Sequence, residues 1–242
     1  MLVFMSQFKN EILLLASVPV IFLLTVAAGR FFGERGLVAW VSVATVSANI
    51  EVLILVRAFG MEQTLGNVLF ASTFLATDIL SELYGKKSAA RAVNIGIFAT
   101  VCFLIISQSW MLYAPSAEDW ASESIRAVFS NTPRLIFVSL VIYAVSQRLD
   151  VMLYHKLWAL TERRFGNKKS GLWLRNNCAT LISQLVNAAL FNLGAFWGMY
   201  DTGTLVSIVI STYVIYVFTS LLDTPFVYLA RRIGTPRRDT AA

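Results

Sequence analysis

Long apolar runs separated by short charged clusters dominate the sequence. A helix rises about 1.5 Å per residue, so about 20 residues cross a hydrocarbon core about 30 Å thick. Because backbone polar groups find no water in lipid, helices are the expected state for apolar runs of that length. Seven such runs are present, at about 12–32, 37–56, 65–83, 92–113, 134–156, 174–199 and 204–230. The pattern predicts an all-α, polytopic membrane helix bundle with seven spans.

Composition narrows the class of protein further. Of the 242 residues, 57% are apolar and 14% are charged, whereas soluble domains carry about 25% charged residues. These values exclude a disordered chain, and two cysteines in or beside apolar runs, Cys102 and Cys178, do not form a disulfide scaffold. The 20 basic residues outnumber the 14 acidic ones. Because they cluster between apolar runs and form no basic face, we expect no nucleic-acid partner.

The basic clusters set the expected orientation in the membrane. Lysines and arginines concentrate at 86–91, 156–175 and 231–238, whereas 114–133 contains one base, Arg126. Because positive loops stay in the cytoplasm, we predict a cytoplasmic carboxy terminus and, with seven spans, an external amino terminus. Apolar residues within 114–133 predict a short amphipathic helix on the membrane surface.

Two spans carry the same polar motif, S-Q-x-x-[D/N]-x-x-L-[Y/F], and run in opposite directions through the membrane. Both glutamines lie nine residues from a cytoplasmic base, which places them about 13–14 Å deep, near the bilayer centre. Paired polar residues at that depth are typical of transporter binding sites, although such residues also hydrogen-bond helices together. The two copies, 37 residues apart, contain Ser146, Gln147 and Asp150, and Ser183, Gln184 and Asn187.

Other polar side chains also lie within the predicted spans. Acids in lipid are costly and are usually functional, and Pro225 predicts a kink that frees carbonyls beside Asp223. Glu82 precedes Lys86 by four residues, so an interfacial Glu–Lys pair is an alternative explanation for that acid. The predicted substrate-binding set is Asn49, Glu51, Asp78, Gln147, Asp150, Arg175, Asn176, Gln184, Asn187 and Asp223.

The sequence gives little indication of catalysis. His155 is the only histidine, and the chain has no H-E-x-x-H, G-x-S-x-G, Walker or Cys/His metal motif. We therefore expect no catalytic residue, no metal and no cofactor. The chain is not expected to be an enzyme.

Four blocks resemble the signature of the queuosine precursor transporter family, also called the VUT family. The most specific is T-D-x-x-S-E-x-Y-G at 77–85. The others are W-L-R-N-N at 173–177 with the following S-Q, S-Q-x-x-D at 146–150, and D-T-P-F at 223–226. The resemblance runs from about Ala48 to Ile233.

That resemblance implies a fold and a function. It implies a six-helix transporter core at 37–233, here preceded by an extra transmembrane helix and linker at 1–36 and followed by a basic cytoplasmic tail at 234–242. It also implies uptake across the bacterial inner membrane of 7-deazapurines such as 7-cyano-7-deazaguanine, for making queuosine in tRNA. The expected partners are this small-molecule substrate and the lipid bilayer. Self-association and partner subunits stay open.

The chain departs from the resemblance at three positions. Family members often have an acid at the position of Asn187, and lysines near Ile54 and Tyr216. Losing an acid together with bases leaves fewer unpaired buried charges, so the fold should tolerate these changes. A differently substituted deazapurine is therefore an alternative ligand.

The side chains offered by the spans suit a guanine-like base. Its edge presents adjacent N–H donors and a carbonyl acceptor, which carboxylates and amides can satisfy, and aromatic side chains such as Tyr154, Phe191 and Tyr213 can stack on it. One alternative is a substrate-capture subunit of the energy-coupling-factor type, which would dock partner subunits through small-residue faces that include Ala71, Ala188 and Ala195. Another is a structural membrane protein without a ligand.

Overall fold

The computed structural model describes residues 8–129, 133–167, 170–198 and 201–233. Within these residues the chain forms seven helices and one two-stranded antiparallel sheet. In chain order the elements are α1 (Lys9–Glu51), β1 (Leu55–Ala58), β2 (Met61–Thr64), α2 (Gly66–Tyr84), α3 (Lys86–Trp110), α4 (Ser122–Phe129), α5 (Pro133–Phe165), α6 (Leu172–Phe196) and α7 (Thr202–Ile233).

Among the described helices, five are long and apolar enough to cross a membrane, namely α1, α3, α5, α6 and α7. Many large apolar side chains on their outer faces remain exposed in the isolated chain, including Phe98, Ile105, Phe137 and Ile210. A soluble monomer rarely exposes so much apolar surface, whereas lipid tails would cover it. The expected all-α membrane bundle is confirmed at this level.

Helix α1 is broken at Gly33, whose φ of 62° and ψ of −143° are not helical. The two stretches on either side, 9–32 and 34–51, fold back against each other. A Cβ added at Gly36 would lie 2.1 Å from the backbone oxygen of Ala28, so the two backbones touch immediately after the break. The stretches match the first two predicted apolar runs.

The other end of this helical pair is fixed by the sheet. Asn10 donates from Nδ2 to the carbonyl of Arg57 at 3.0 Å, and Glu11 accepts from the backbone N–H of Phe59 at 3.0 Å. The start of 9–32 therefore lies beside the segment that follows 34–51, and the two stretches run antiparallel.

The β-hairpin corrects one predicted boundary. The second apolar run was expected to be helical to residue 56, but α1 ends at Glu51, and Leu55 and its neighbours pair with β2. The turn residues Phe59 and Gly60 have positive φ values of 54° and 75°, as a two-residue hairpin turn requires. Leu55 and Val56 extended the apolar run because hydrophobicity alone does not distinguish a short strand from a helix end.

Helix α2 is the most enclosed element of the described chain. Fourteen of its 19 residues are buried, and it packs against α1, α3, α5 and α7. It falls outside the set of five candidate spans because it carries acids and hydroxyls among its apolar residues. Neighbouring helices cover those polar groups, so they face protein and not lipid.

The bundle has two chemically distinct ends. The hairpin end comprises β1, β2, α4 and the first turns of α5 and α7. The basic end comprises the first turns of α3 and α6 and the last turns of α5 and α7, with Lys86, Lys87, Arg163, Arg164, Arg231 and Arg232. At the hairpin end the predicted short helix is present as α4, and Phe129 packs on Phe103 and Trp110. The location of α4 on a membrane surface stays a prediction.

Candidate functional site

The repeated motif forms a reciprocal contact where α5 crosses α6. Ser183 donates from Oγ to Asp150 Oδ1 at 2.8 Å, and Ser146 donates from Oγ to Asn187 Oδ1 at 3.4 Å. The serine of each copy thus bonds the Asp or Asn of the other copy, and all four residues are buried. The repeat in the sequence is a paired arrangement in the structure.

The two motif glutamines have different surroundings. Gln147 donates to Thr73 at 2.6 Å and accepts from Thr77 at 3.3 Å, which ties α5 to α2. Gln184 is 1% exposed, and among the described residues its Oε1 accepts no hydrogen bond. Both polar atoms of the Gln147 amide are therefore hydrogen-bonded to α2, whereas Gln184 offers a free acceptor inside the protein.

Three buried acids lie close together beside this crossing, and we call Asp78, Asp150 and Asp223 the carboxyl cluster. The carboxyls of Asp78 and Asp150 are within hydrogen-bonding reach of each other, and each interacts electrostatically with Asp223. Thr180 donates to Asp78 at 3.2 Å, and Asn176 donates to Asp223 at 2.8 Å. Helices α2, α5, α6 and α7 thus converge on one polar centre.

A cavity lies between the carboxyl cluster and the hairpin end. The cavity volume is about 50 Å³, well below the range of about 300–1,000 Å³ for small-molecule sites, so its walls would have to move apart to hold a heterocycle. Polar lining is provided by Thr45, Asn49, Asn67, Thr100, Ser139 and Asn187. Aromatic lining is provided by Phe70, Tyr143, Phe191 and Tyr216.

A chain of hydrogen bonds orders one wall of the cavity. Asn187 donates from Nδ2 to the Tyr216 hydroxyl at 3.2 Å, and that hydroxyl donates to Asn67 Oδ1 at 3.4 Å. On the other wall, Ser139 donates to Asn49 Oδ1 at 2.8 Å. Sequence reasoning missed Asn67, Tyr216 and Ser139. Asn67 could have been found, because it lies eleven residues before Asp78, about three helical turns, and so on the same face of α2.

An ion-pair network closes the basic end. Arg175 contacts Glu82 through Nη2 at 2.7 and 2.9 Å and through Nε at 3.2 Å, and its guanidinium stacks 4.3 Å from the ring centre of Trp158. Tyr154 donates to Glu82 at 3.0 Å, and Arg231 approaches it at 3.4 Å. The alternative explanation of Glu82 was therefore wrong: the described ion pairs join it to other helices and not to the lysine one turn along.

Two acids at the hairpin end lie outside the predicted spans, and each caps the start of a helix. Asp201 accepts from the backbone N–H groups of Gly203 and Thr204 at 2.9 and 3.1 Å and from the Thr204 hydroxyl. These bonds, led by that hydroxyl, lower the pKa of Asp201. Asp119 caps α4 in the same way, and bonds from Ser122 lower its pKa. Both acids hold helix ends in place and do not reach the cavity.

Comparison with known proteins places the chain in a family. A family model described as "Putative vitamin uptake transporter" matches residues 64–230, a span that includes both copies of the repeated motif and the carboxyl cluster. The chain belongs to the vitamin uptake transporter (VUT) family. The family indicated by the sequence motifs is thereby confirmed.

Two curated relatives agree with this membership. A Bacillus subtilis (strain 168) protein named "Probable queuosine precursor transporter" is 35% identical over 212 residues, which cover 88% of this chain and 90% of the relative. An Escherichia coli (strain K12) protein named "Queuosine precursor transporter" is 28% identical over 156 residues, or 64% of this chain and 65% of the relative. No solved structure matches the chain. This VUT family member is thus a multi-pass membrane protein of a transporter family, and not an enzyme.

In this VUT family member, the predicted site residues fall into four places. Asn49 and Asn187 line the cavity. Arg175 lies in the ion-pair network, and Glu51 is a partly exposed last residue of α1 outside the cavity lining. The remaining six form a buried polar layer between cavity and network: Asp78, Gln147, Asp150, Asn176, Gln184 and Asp223. Their roles toward a substrate stay a prediction.

Proposed function

We propose that this chain imports a queuosine precursor, 7-cyano-7-deazaguanine or a related 7-deazapurine, across the bacterial inner membrane. Membership in the VUT family and the names of the two relatives support this substrate class. The observation that carries the proposal is the cavity, where aromatic and amide side chains from several helices converge. Flat heterocycles are bound by aromatic faces together with a few fixed polar groups.

The break at Gly33 supports a six-helix core with one extra helix. Stretch 9–32 would be the added amino-terminal helix, and stretch 34–51 would join α2, α3, α5, α6 and α7 as the core. The corresponding divisions are an extra helix and linker at 1–36, a core at 37–233 and a tail at 234–242, of which the tail lies outside the described residues. The positive-inside rule places the basic end in the cytoplasm and the hairpin end outside.

The cavity chemistry matches a neutral base. The described lining residues include no charged side chain, and an uncharged deazapurine needs no counter-ion. Amides such as Asn49 and Asn187 can both donate to the ring carbonyl and accept from ring N–H groups. The aromatic lining supplies the stacking surface for the ring.

The deeper polar residues would line the route onward. Beyond the cavity the substrate would meet the buried layer of Asp78, Gln147, Asp150, Gln184 and Asp223, with Asn176 nearer the basic end. The network around Arg175 would open for release into the cytoplasm, as expected where access alternates between two sides. Glu51 would contact the substrate only at the outer mouth.

Rescue of tRNA modification tests the proposal. The host strain lacks both precursor synthesis and its own importer and receives each precursor in turn, and queuosine in tRNA is measured. The chain should restore queuosine. Asp150→Ala should not, at unchanged membrane abundance, while Asp201→Asn, which keeps a helix-capping residue, should behave as the wild type. Absence of queuosine with every precursor, despite normal abundance of the chain, would contradict the proposal.

The alternative of a substrate-capture subunit loses its structural support. The small residues suggested for docking, Ala71, Ala188 and Ala195, are 2%, 0% and 1% exposed, so they pack inside this chain and present no face to a partner. Uptake by the purified chain alone in liposomes would decide against that alternative. Uptake that requires added subunits would support it.

A further inference from the structure

The carboxyl cluster contains buried oxygens that lack hydrogen-bond donors. Among the described residues, Asp78 Oδ1, Asp150 Oδ2 and Gln184 Oε1 have no partner, although these residues are at most 1% exposed. A buried acceptor without a donor costs about 1–3 kcal/mol, and more when charged. Three such acceptors in one region point to a positively charged ligand.

Helix geometry directs Gln184 toward the cluster. It lies four residues after Thr180, on the same face of α6, and Thr180 donates to Asp78 at 3.2 Å. Side chains on a helix lean toward its amino terminus, so the Gln184 amide leans toward Thr180 and hence toward Asp78. The free acceptor therefore belongs to the same polar centre as the acids.

Among the described residues, no basic side chain neutralises the cluster. Arg175, on α6, is engaged by Glu82 at the basic end. The buried residues of α1 and α3, within the described chain, include no titratable group. Besides the cluster acids, the buried titratable side chains on the described parts of these helices are Tyr143 and Tyr154 of α5, Arg175 of α6 and Tyr216 of α7. Glu82 of α2 and His155 of α5 are partly buried, and Tyr154 interacts electrostatically with Asp78.

The contact between Asp78 and Asp150 identifies the ligand. Two ionised carboxylates in contact away from water repel each other strongly, whereas a protonated and an ionised carboxyl form a short hydrogen bond. Among the described residues, no group of three or more acid, histidine or cysteine side chains is arranged to hold a metal ion. We propose that the carboxyl cluster is a proton-binding site, in which Asp78 and Asp150 share one proton and Asp223 keeps it from leaving easily.

The carboxyl cluster lies close enough to the cavity for proton binding to be coupled to substrate transport. Asp150 accepts from Ser183, and Asn187, one turn further along α6, lines the cavity. A substrate in the cavity would thus sit one helical turn from the shared proton. The proton would enter from the cavity side, form an O–H bond on a carboxylate, and leave as H⁺ toward the basic end when that end opens. This coupling rests on the proposed function, whereas the proton site itself does not.

Infrared spectroscopy tests the proton site without any substrate. The purified wild-type chain at neutral pH should show the C=O stretch of a protonated carboxyl, shifted in deuterated water. Asp78→Asn and Asp150→Asn should each lose that band, because an amide N–H replaces the shared proton. Asp201→Asn, which changes an exposed acid, should keep it. A wild type without the band, or a band that survives both cluster substitutions, would overturn the proposal.

Proteoliposomes test the coupling. Uptake of labelled 7-cyano-7-deazaguanine by the wild type should rise several-fold when the outside is acidic relative to the inside, and Asp201→Asn should respond equally. Stimulation by a sodium gradient alone, or indifference to the proton gradient, would overturn the coupling. If the infrared band is present but no precursor is taken up under any gradient, the proton site is supported and the proposed substrate, a queuosine precursor, is contradicted.

Discussion

Separating Arg175 from Glu82 should be among the most destabilising single changes in the chain. Their side chains are 0% and 4% exposed, and three N–O contacts of 2.7–3.2 Å join them. Removing one partner of a buried ion pair costs about 3–5 kcal/mol because the other charge stays buried without compensation.

The structure predicts unequal costs for the two partners. After Arg175→Met, Glu82 keeps Tyr154 at 3.0 Å and Arg231 at 3.4 Å, so the loss should lie near the lower limit of about 3 kcal/mol. After Glu82→Gln, Arg175 loses its carboxylate and keeps the Ser170 carbonyl at 2.9 Å and the Trp158 ring. That loss should approach the upper limit of about 5 kcal/mol.

A double-mutant cycle measures the coupling. The free energy of unfolding of the detergent-purified chain is determined by denaturant titration for the wild type, Arg175→Met, Glu82→Gln and the double variant. The double variant leaves neither charge unpaired, so its loss should be no greater than that of the worse single variant. Strictly additive losses, or single losses below about 1 kcal/mol as for an exposed pair, would refute the buried ion pair as described.

Three further outcomes are expected. Asn187→Asp should destabilise the chain by about 3 kcal/mol or more because it buries an unpaired charge, and adding Tyr216→Lys should recover most of that loss in the same titration. No recovery would contradict their contact. Gly36→Ala should lower the melting temperature strongly, since overpacking costs about 1–3 kcal/mol, whereas Gly29→Ala, whose added Cβ meets side-chain atoms of the buried Leu37 at 3.2–3.3 Å, should lower it less. Equal effects would refute the close backbone approach. Asn49→Ala should weaken precursor binding about 2- to 10-fold in calorimetry, through one lost hydrogen bond, and unchanged binding would remove Asn49 from the site.

The contact between Asn187 and Tyr216 accounts for two departures from the family resemblance. The resemblance to the family implies an acid at the position of Asn187 and a lysine near Tyr216. The two side chains hydrogen-bond to each other at 3.2 Å. An acid and a lysine at these two positions could form an ion pair. Asn187 and Tyr216 form a neutral hydrogen bond there instead, so no charge is buried.

Sequence alone predicted the elements whose signals are local. Hydrophobic runs located the long helices, and the repeated motif indicated that Asp150 and Asn187 would occupy matching depths on α5 and α6. The reciprocal serine contacts give a physical reason for the repeat. The serine of each copy donates a hydrogen bond to the acid or amide of the other copy, so both residues occur in both helices.

Partners distant in the chain could not be predicted in the same way. Arg175 lies 93 residues from Glu82, and no periodicity joins them, whereas Lys86 was a plausible partner because it is one turn away. The β-hairpin was missed for a related reason. Its apolar residues continued a membrane-like run, and strand pairing depends on a turn that hydrophobicity does not report.

Counterflow in liposomes is the most direct test of transport by this chain, because exchange needs no energy source. Liposomes that contain only the purified chain are preloaded with unlabelled 7-cyano-7-deazaguanine, and entry of the labelled compound is followed. We predict rapid, saturable entry that a guanine-like competitor reduces and that protein-free liposomes lack. Entry no faster than in protein-free liposomes, with a folded chain that binds no 7-deazapurine, would contradict it.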